Sequence, residues 1–130
     1  ELLESAVIDK MPHIVAVQSE NCDPFIKAVL AREKHPASVT PTPTMAEGIA
    51  IGVPMRGEEI LEYTYKYNIE MVAAPENRIM EARMALAAKG IYCEHTTAAT
   101  YAAYLKYCEQ NGKTSDCLLP MCGAGLKSDH

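Results

Sequence analysis

The chain is predicted to fold as an α/β domain: three layers, with a mostly parallel sheet flanked by helices. Three observations carry this expectation. Runs rich in β-branched residues alternate with stretches of helical spacing, the connections between most of them are short, and cap or breaker residues bracket the helical stretches. A helix between two strands favours a crossover connection, and crossovers pair strands in parallel. A length of 130 residues with 48% hydrophobic and 22% charged composition suits one domain with its own core.

The chain opens on Glu1 and enters a helix-like segment at once, so we expect a piece of a longer protein. Residues 13–18 (HIVAVQ) read as the first strand. Residues 24–30 have helical spacing behind Asn21 and Asp23 as possible caps. Pro36, Pro41 and Pro43 mark the stretch from Arg32 to Thr44 as irregular. Met45 to Ile51 is small and apolar and is closed by Gly52 and Pro54.

A helix is predicted over residues 57–67, with Ile60, Tyr63 and Tyr67 on one face and Leu61 beside them. The strand at 69–74 ends at Pro75, which suits the first turn of a helix from 76 to 89 stopped by Gly90. Glu76 and Lys89 then stand at the ends that the helix dipole prefers. Ile91 to Cys93 reads as a brief extended piece, and Thr96 or Thr97 as the cap of a helix at 98–110, ended by Asn111-Gly112. Residues 117–122 read as a buried last strand running into Gly123-Ala-Gly125. In an open α/β sheet, ligands lie outside the carboxyl ends of the strands, so the Cys122 thiol is the first place to look for one.

Several functions are disfavoured at this point. The net charge of −5, with no Lys/Arg stripe to offset it, argues against nucleic acid as a partner. No apolar run is long enough for a membrane span, and no signal peptide is visible. The 5 cysteines are scattered without a CxxC pair, as befits reduced thiols in a cytoplasmic protein. His13, His35, His95 and His130 lack the paired spacing of metal ligands, so no metal is expected.

Most acids and tyrosines read as solvated helix faces or packing. Glu58, Glu59, Glu62, Glu76 and Glu81 belong to the first group, and Tyr63, Tyr65, Tyr67, Tyr101, Tyr104 and Tyr107 to the second. Two segments stand apart. Thr44 to Arg56 (TMAEGIAIGVPMR) sets Glu47 in a small apolar element beside Gly48, and Cys93 to Thr100 (CEHTTAAT) puts Glu94 just before a helix start whose free N–H groups could hold an anion.

These segments, with VAVQSENCDPFIKA and LLPMCGAGLKS, occur in an order and spacing that resembles the C-terminal part of threonine synthase and its relatives among the fold-type II pyridoxal-phosphate enzymes. The likeness covers nearly all of the chain. It is most specific at Gly90 to Ala99, similar to the family's glycine, Ile/Leu, aromatic, x, Glu-Pro-Thr-Ser-Ala-Ala, and at Cys122 to Lys127, similar to a hydroxyl or thiol followed by Gly-x-Gly-Leu-Lys.

The resemblance implies that residues 1–130 are the C-terminal portion of the large, cofactor-binding domain of a longer enzyme. Its cofactor would be pyridoxal 5'-phosphate, with Cys122 at the pyridine nitrogen and Gly123 flanking the ring. Glu94 and Thr97 would shape the cofactor wall, and Glu47 is a weaker candidate. The implied reaction is a lyase's: phosphate elimination from O-phosphohomoserine and addition of water, giving threonine. The implied partners are a small amino-acid substrate, the N-terminal remainder of the enzyme and a second copy in a homodimer.

The resemblance places the cofactor-bearing lysine, in a Ser/Asn-x-Lys motif, and the phosphate-binding glycine loop upstream of the matching segment. No catalytic residue is therefore assigned here, and residues 1–130 alone are expected to be inactive. Departures from the family pattern are His95 in place of its usual Pro, and Glu47-Gly48-Ile49 where threonine synthases carry Thr-Ala-Ile. The cation-site positions of metal-dependent serine dehydratases fall on Gln18, Cys22 and Pro24, which do not reproduce that site. A serine/threonine dehydratase or ammonia-lyase of the same fold is the alternative within the enzymes, and a non-catalytic α/β binding or assembly domain is the alternative outside them.

Overall fold

The structure, a computed structural model, describes residues 1–127; Ser128 and His130, which figure in the motif and metal arguments above, lie outside the described residues. Strand β1 (Val15–Ser19) and strand β2 (Glu70–Ala74) pair in parallel, with Val15 opposite Glu70 and Ser19 opposite Ala74. Helices α1 (Pro24–Leu30) and α2 (Gly57–Lys66) lie between them in the chain, so the connection is a crossover. Helices α3 (Ile79–Ala87) and α4 (His95–Asn111) follow, pack against each other, and α4 lies along the sheet. No helix among the described residues is long and apolar enough to cross a membrane.

Small residues let α4 come close to its neighbours. Ala98, Ala99, Ala102 and Ala103 are all buried, and three of them join Val72, Ala74, Ile79 and Leu86 in the core. Val15 and Val17 of β1 pack against the same cluster. Burying Ile79 contributes about 1.5–3 kcal/mol, so a few such side chains carry most of the packing stabilisation.

The two parallel strands and the four helices fall where the residue patterns place them, with ends that shift for identifiable reasons. Residues 24–30 form α1 as expected, with Asp23 in the capping position, but its side chain does not bond the first N–H groups. The Gln18 side-chain oxygen does so, accepting N–H groups from Phe25 at 3.0 Å and Ile26 at 3.1 Å. Residues 76–78 wind as a 3-10 turn rather than α-helix. There Glu20 takes the Glu76 N–H, while the Glu76 carboxylate is drawn out to Thr44 and Met45. Helix α4 begins earlier than expected, with Glu94 in the capping position and no side-chain cap bond. Thr96 and Thr97 do not cap it, because their hydroxyls accept hydrogen bonds from two neighbouring loops instead.

Four expectations are corrected. Residues 2–5 form turns, not a helix. On α2 the buried residues are Gly57, Leu61 and Thr64, whereas Tyr63 and Tyr67 stack with each other and Ile60 and Tyr63 stay exposed. Leu61 anchors that helix, and the aromatic positions flank it. Residues 117–122 form neither a strand nor a buried segment, and residues 91–93 form no strand beyond a single antiparallel bridge between Cys93 and Ala124. Pro120 removes one donor from the ladder, and Leu118 is 88% exposed, so residues 117–122 lack the packing that would hold a strand.

Candidate functional site

Both parallel strands end on buried residues, Ser19 and Ala74, and a polar network continues outward from them. The Ser19 hydroxyl donates to Thr44 Oγ1 at 3.1 Å, and the Thr44 hydroxyl donates to Glu76 Oε2 at 2.6 Å. The other Glu76 oxygen accepts the Met45 N–H at 2.6 Å, and Asn21 Nδ2 donates to Pro43 O at 2.6 Å. These bonds fix residues 43–46 beside an open cleft of about 340 Å³ lined by Pro43, Thr44, Met45, Glu47, Glu76 and His95. The cleft stands outside the carboxyl ends of the strands, where α/β proteins hold ligands.

The first turn of α4 joins two loops. Thr96 Oγ1 accepts the Gly48 N–H at 3.2 Å, which ties the 3-10 turn Glu47–Ile49 to the helix. Thr97 Oγ1, on the next residue, accepts the Gly123 N–H at 3.2 Å. Residues 92–94 and 123–125 then run antiparallel, with the Glu94 N–H bonded to Gly123 O at 3.0 Å and the Gly125 N–H to Tyr92 O at 3.1 Å. Glu94 fills the space where a Cβ on residue 123 would stand, and the Tyr92 ring lies 2.7 Å from where one on residue 125 would stand. A Cβ at either position would require the Glu94 side chain or the Tyr92 ring to move.

Thr97, Glu94 and Gly123 are thus in direct contact, and Cys122 is the adjoining residue with its thiol exposed. Glu47 lies on the other side of the same helical turn, on the wall of the cleft. Cys122 differs from its expected setting: it sits at the rim of an extended loop rather than at the end of a buried strand. Burial pushes the Cys93 and Cys22 thiols up from the ordinary range, which makes both poor nucleophiles. Lys113, in Asn111-Gly112-Lys113, matches the letters of the Asn-x-Lys pattern but follows the exposed end of α4.

Residue reasoning missed Glu76, taken for a solvated helix face, and Arg83. The Arg83 guanidinium donates from Nε to Cys93 O at 2.8 Å and from Nη2 to Gly125 O at 3.2 Å. Pro75 and the hydroxyl-rich Thr42 to Thr44 stretch hinted at the Glu76 contact, whereas nothing local in the sequence marked Arg83.

Residues 3–123 match the family of pyridoxal-phosphate dependent enzymes. A threonine synthase from Synechocystis sp. is 32% identical over 122 residues, which cover 92% of this chain and 29% of that protein. The chain belongs to the pyridoxal-phosphate dependent enzymes. It spans under a third of the length of the curated relative that it matches.

The residues present suit the ring of that cofactor. An exposed cysteine outside any disulfide can donate to a pyridine nitrogen, while the bare faces of Gly123 and Gly125 are taken up by the Glu94 side chain and the Tyr92 ring.

Proposed function

We propose that this chain is the C-terminal portion of the large domain of a threonine synthase-like lyase, which releases phosphate from O-phosphohomoserine and adds water to give threonine. The 32% identity to a threonine synthase supports the reaction class, and the meeting of Glu94, Thr97 and Gly123 beside Cys122 is the observation that carries the site. In this reading the rest of the enzyme supplies the cofactor-bearing lysine, the phosphate loop and the strands that complete a three-layer sheet in the cytoplasm.

Pyridoxal phosphate, when bound, supplies an electron sink next to the substrate's α carbon. Cys122 would hydrogen-bond the ring nitrogen as a neutral partner, a setting that would suit loss of a leaving group. Thr97 and the Glu94 N–H hold the Gly123 backbone, and so would position the adjoining Cys122 for the ring. Thr96 holds Gly48, and with it Glu47, at the cleft wall on the substrate side.

Cleft charge favours a second reading, a dehydratase or ammonia-lyase acting on a hydroxy-amino acid. Glu47 and Glu76 both line the cleft, and two carboxylates oppose a dianionic phosphate. With the full-length enzyme, phosphate release from O-phosphohomoserine supports the first reading; release of ammonia and a keto acid from serine or threonine, without phosphate chemistry, supports the second.

The site itself is tested in the same enzyme. Cys122→Ser should keep kcat/KM within about threefold, because Ser is also a small neutral donor. Cys122→Asp should lower it by ~100-fold, the scale of a mismatched hydrogen bond to a charged group. Equal tolerance of Ser and Asp, with cofactor occupancy measured separately, removes Cys122 from the pyridine nitrogen.

A further inference from the structure

We propose that Arg83 is a positioning residue for the cofactor wall, clamping the Cys122–Gly125 turn to residues 92–94 from helix α3. The proposal rests on the placement of Cys122 at the cofactor ring argued above.

Among the described residues, apolar packing holds this turn only weakly. Met121, Cys122 and Leu126 are exposed, and Leu118 further back is 88% exposed, so apolar burial contributes little between residues 118 and 126. The segment is attached by two backbone hydrogen bonds to residues 92–94 and by the Thr97 hydroxyl. A bridge of two residues is marginal without support.

Arg83 supplies the support by bonding one carbonyl on each side. Nε holds Cys93 O, in a buried residue of the inner segment, and Nη2 holds Gly125 O, in the outer one. The same guanidinium lies 5.0 Å from the Tyr92 ring centroid, and the Tyr92 ring in turn covers the bare face of Gly125. Guanidinium, ring and glycine therefore stack in a row. A planar fork with several donors suits this geometry, whereas a lysine ammonium is a point charge without the flat face. Gly125 lies close along the chain to Cys122, so slack at Gly125 reaches the thiol. Arg83 acts through the turn and touches no reacting atom.

The test uses the full-length enzyme with Arg83→Met, which keeps the apolar stem, Arg83→Lys, and Cys122→Ala. Amide hydrogen exchange is followed across residues 119–126, α3 and α4, and the cofactor dissociation constant is measured by titration of the apo-enzyme. Arg83→Met should speed exchange in 119–126 and weaken cofactor binding, each by about tenfold, as for loss of one hydrogen bond to a charged group. Arg83→Lys should fall between Met and wild type, and exchange in α3 and α4 should stay unchanged in both. Unchanged exchange in 119–126 of Arg83→Met overturns the clamp, and so does equal acceleration throughout α3 and α4, which marks a merely structural role. If Arg83→Met loosens the turn but neither it nor Cys122→Ala alters cofactor affinity, the placement of Cys122 fails while the clamp itself stands.

Discussion

Adjacent hydroxyls do separate work at the start of α4. Thr96 holds Gly48 and Thr97 holds Gly123, so one helical turn sets the distance between a cleft wall and a glycine turn. Gly123 tolerates this because it has no Cβ. Gly123→Ala should displace the Glu94 side chain or the turn itself, and cofactor affinity in the full-length enzyme should fall by more than tenfold, as for other overpacked sites; an affinity equal to wild type would show that the close approach is not needed. Glu76 is the matching case on the cleft side. Its two oxygens accept from Thr44 and Met45, and an amide would turn its NH2 toward one of these donors. Glu76→Gln should therefore raise KM several-fold with a smaller change in kcat, about 1 kcal/mol of lost positioning. A change confined to kcat would place Glu76 in the chemistry instead.

At the scale of elements, α4 sits against α3 and the sheet through alanines, and that fit leaves no spare volume. Ala99→Leu should cost about 1–3 kcal/mol in urea denaturation, and a neutral result would mean that the helices are not close-packed there. Arg78 and Glu109 join the turn before α3 to the last turns of α4 through a two-bond pair at 2.8 and 2.9 Å. The Arg78 guanidinium holds the Glu109 carboxyl below its usual range. A depressed value in the fold stabilises it above the ordinary carboxylate pKa and is lost as pH falls through the depressed one. Glu109→Gln should thus be slightly less stable than wild type near neutral pH and equal to it in acid. The difference should shrink in salt, since the Glu109 side chain is 61% exposed. The elements legible in the residues were those fixed by local chemistry: the helical spacing behind Asp23 for α1, a β-branched-rich run for β1, Pro75 and Gly90 around α3, and the Asn111-Gly112 stop of α4. Those misread were decided by partners far along the chain. Residues 117–122 have the composition of a strand, but a strand needs a neighbour and Pro120 weakens any ladder; Thr96 and Thr97 have the composition of caps, but loops some 48 and 26 residues away claim their hydroxyls.

For the whole molecule, the motif order pointed to the family that the comparisons show, and the same motifs hold the residues, Glu94, Thr97 and Gly123, that the fold brings into contact. Glu76 and Arg83 could not be found that way, since each acts on backbone groups brought near only by folding. In the proposed reading, the cofactor-bearing lysine and the phosphate loop belong to the remainder of the enzyme, since the match covers 29% of a threonine synthase. Residues 1–130 produced alone should accordingly retain no borohydride-fixed cofactor on any lysine, and a labelled lysine peptide from within them would refute that division of labour. The central claim, that the turn beginning at Cys122 faces the cofactor ring, is tested most directly by thiol alkylation of the full-length enzyme with and without pyridoxal phosphate. Cys117 and Cys122 are both exposed in this chain, so each serves as the other's control. The cofactor should slow alkylation of Cys122 by tenfold or more, roughly in proportion to occupancy, while Cys117 reacts at its original rate. Equal rates at Cys122 in the two forms would contradict the account.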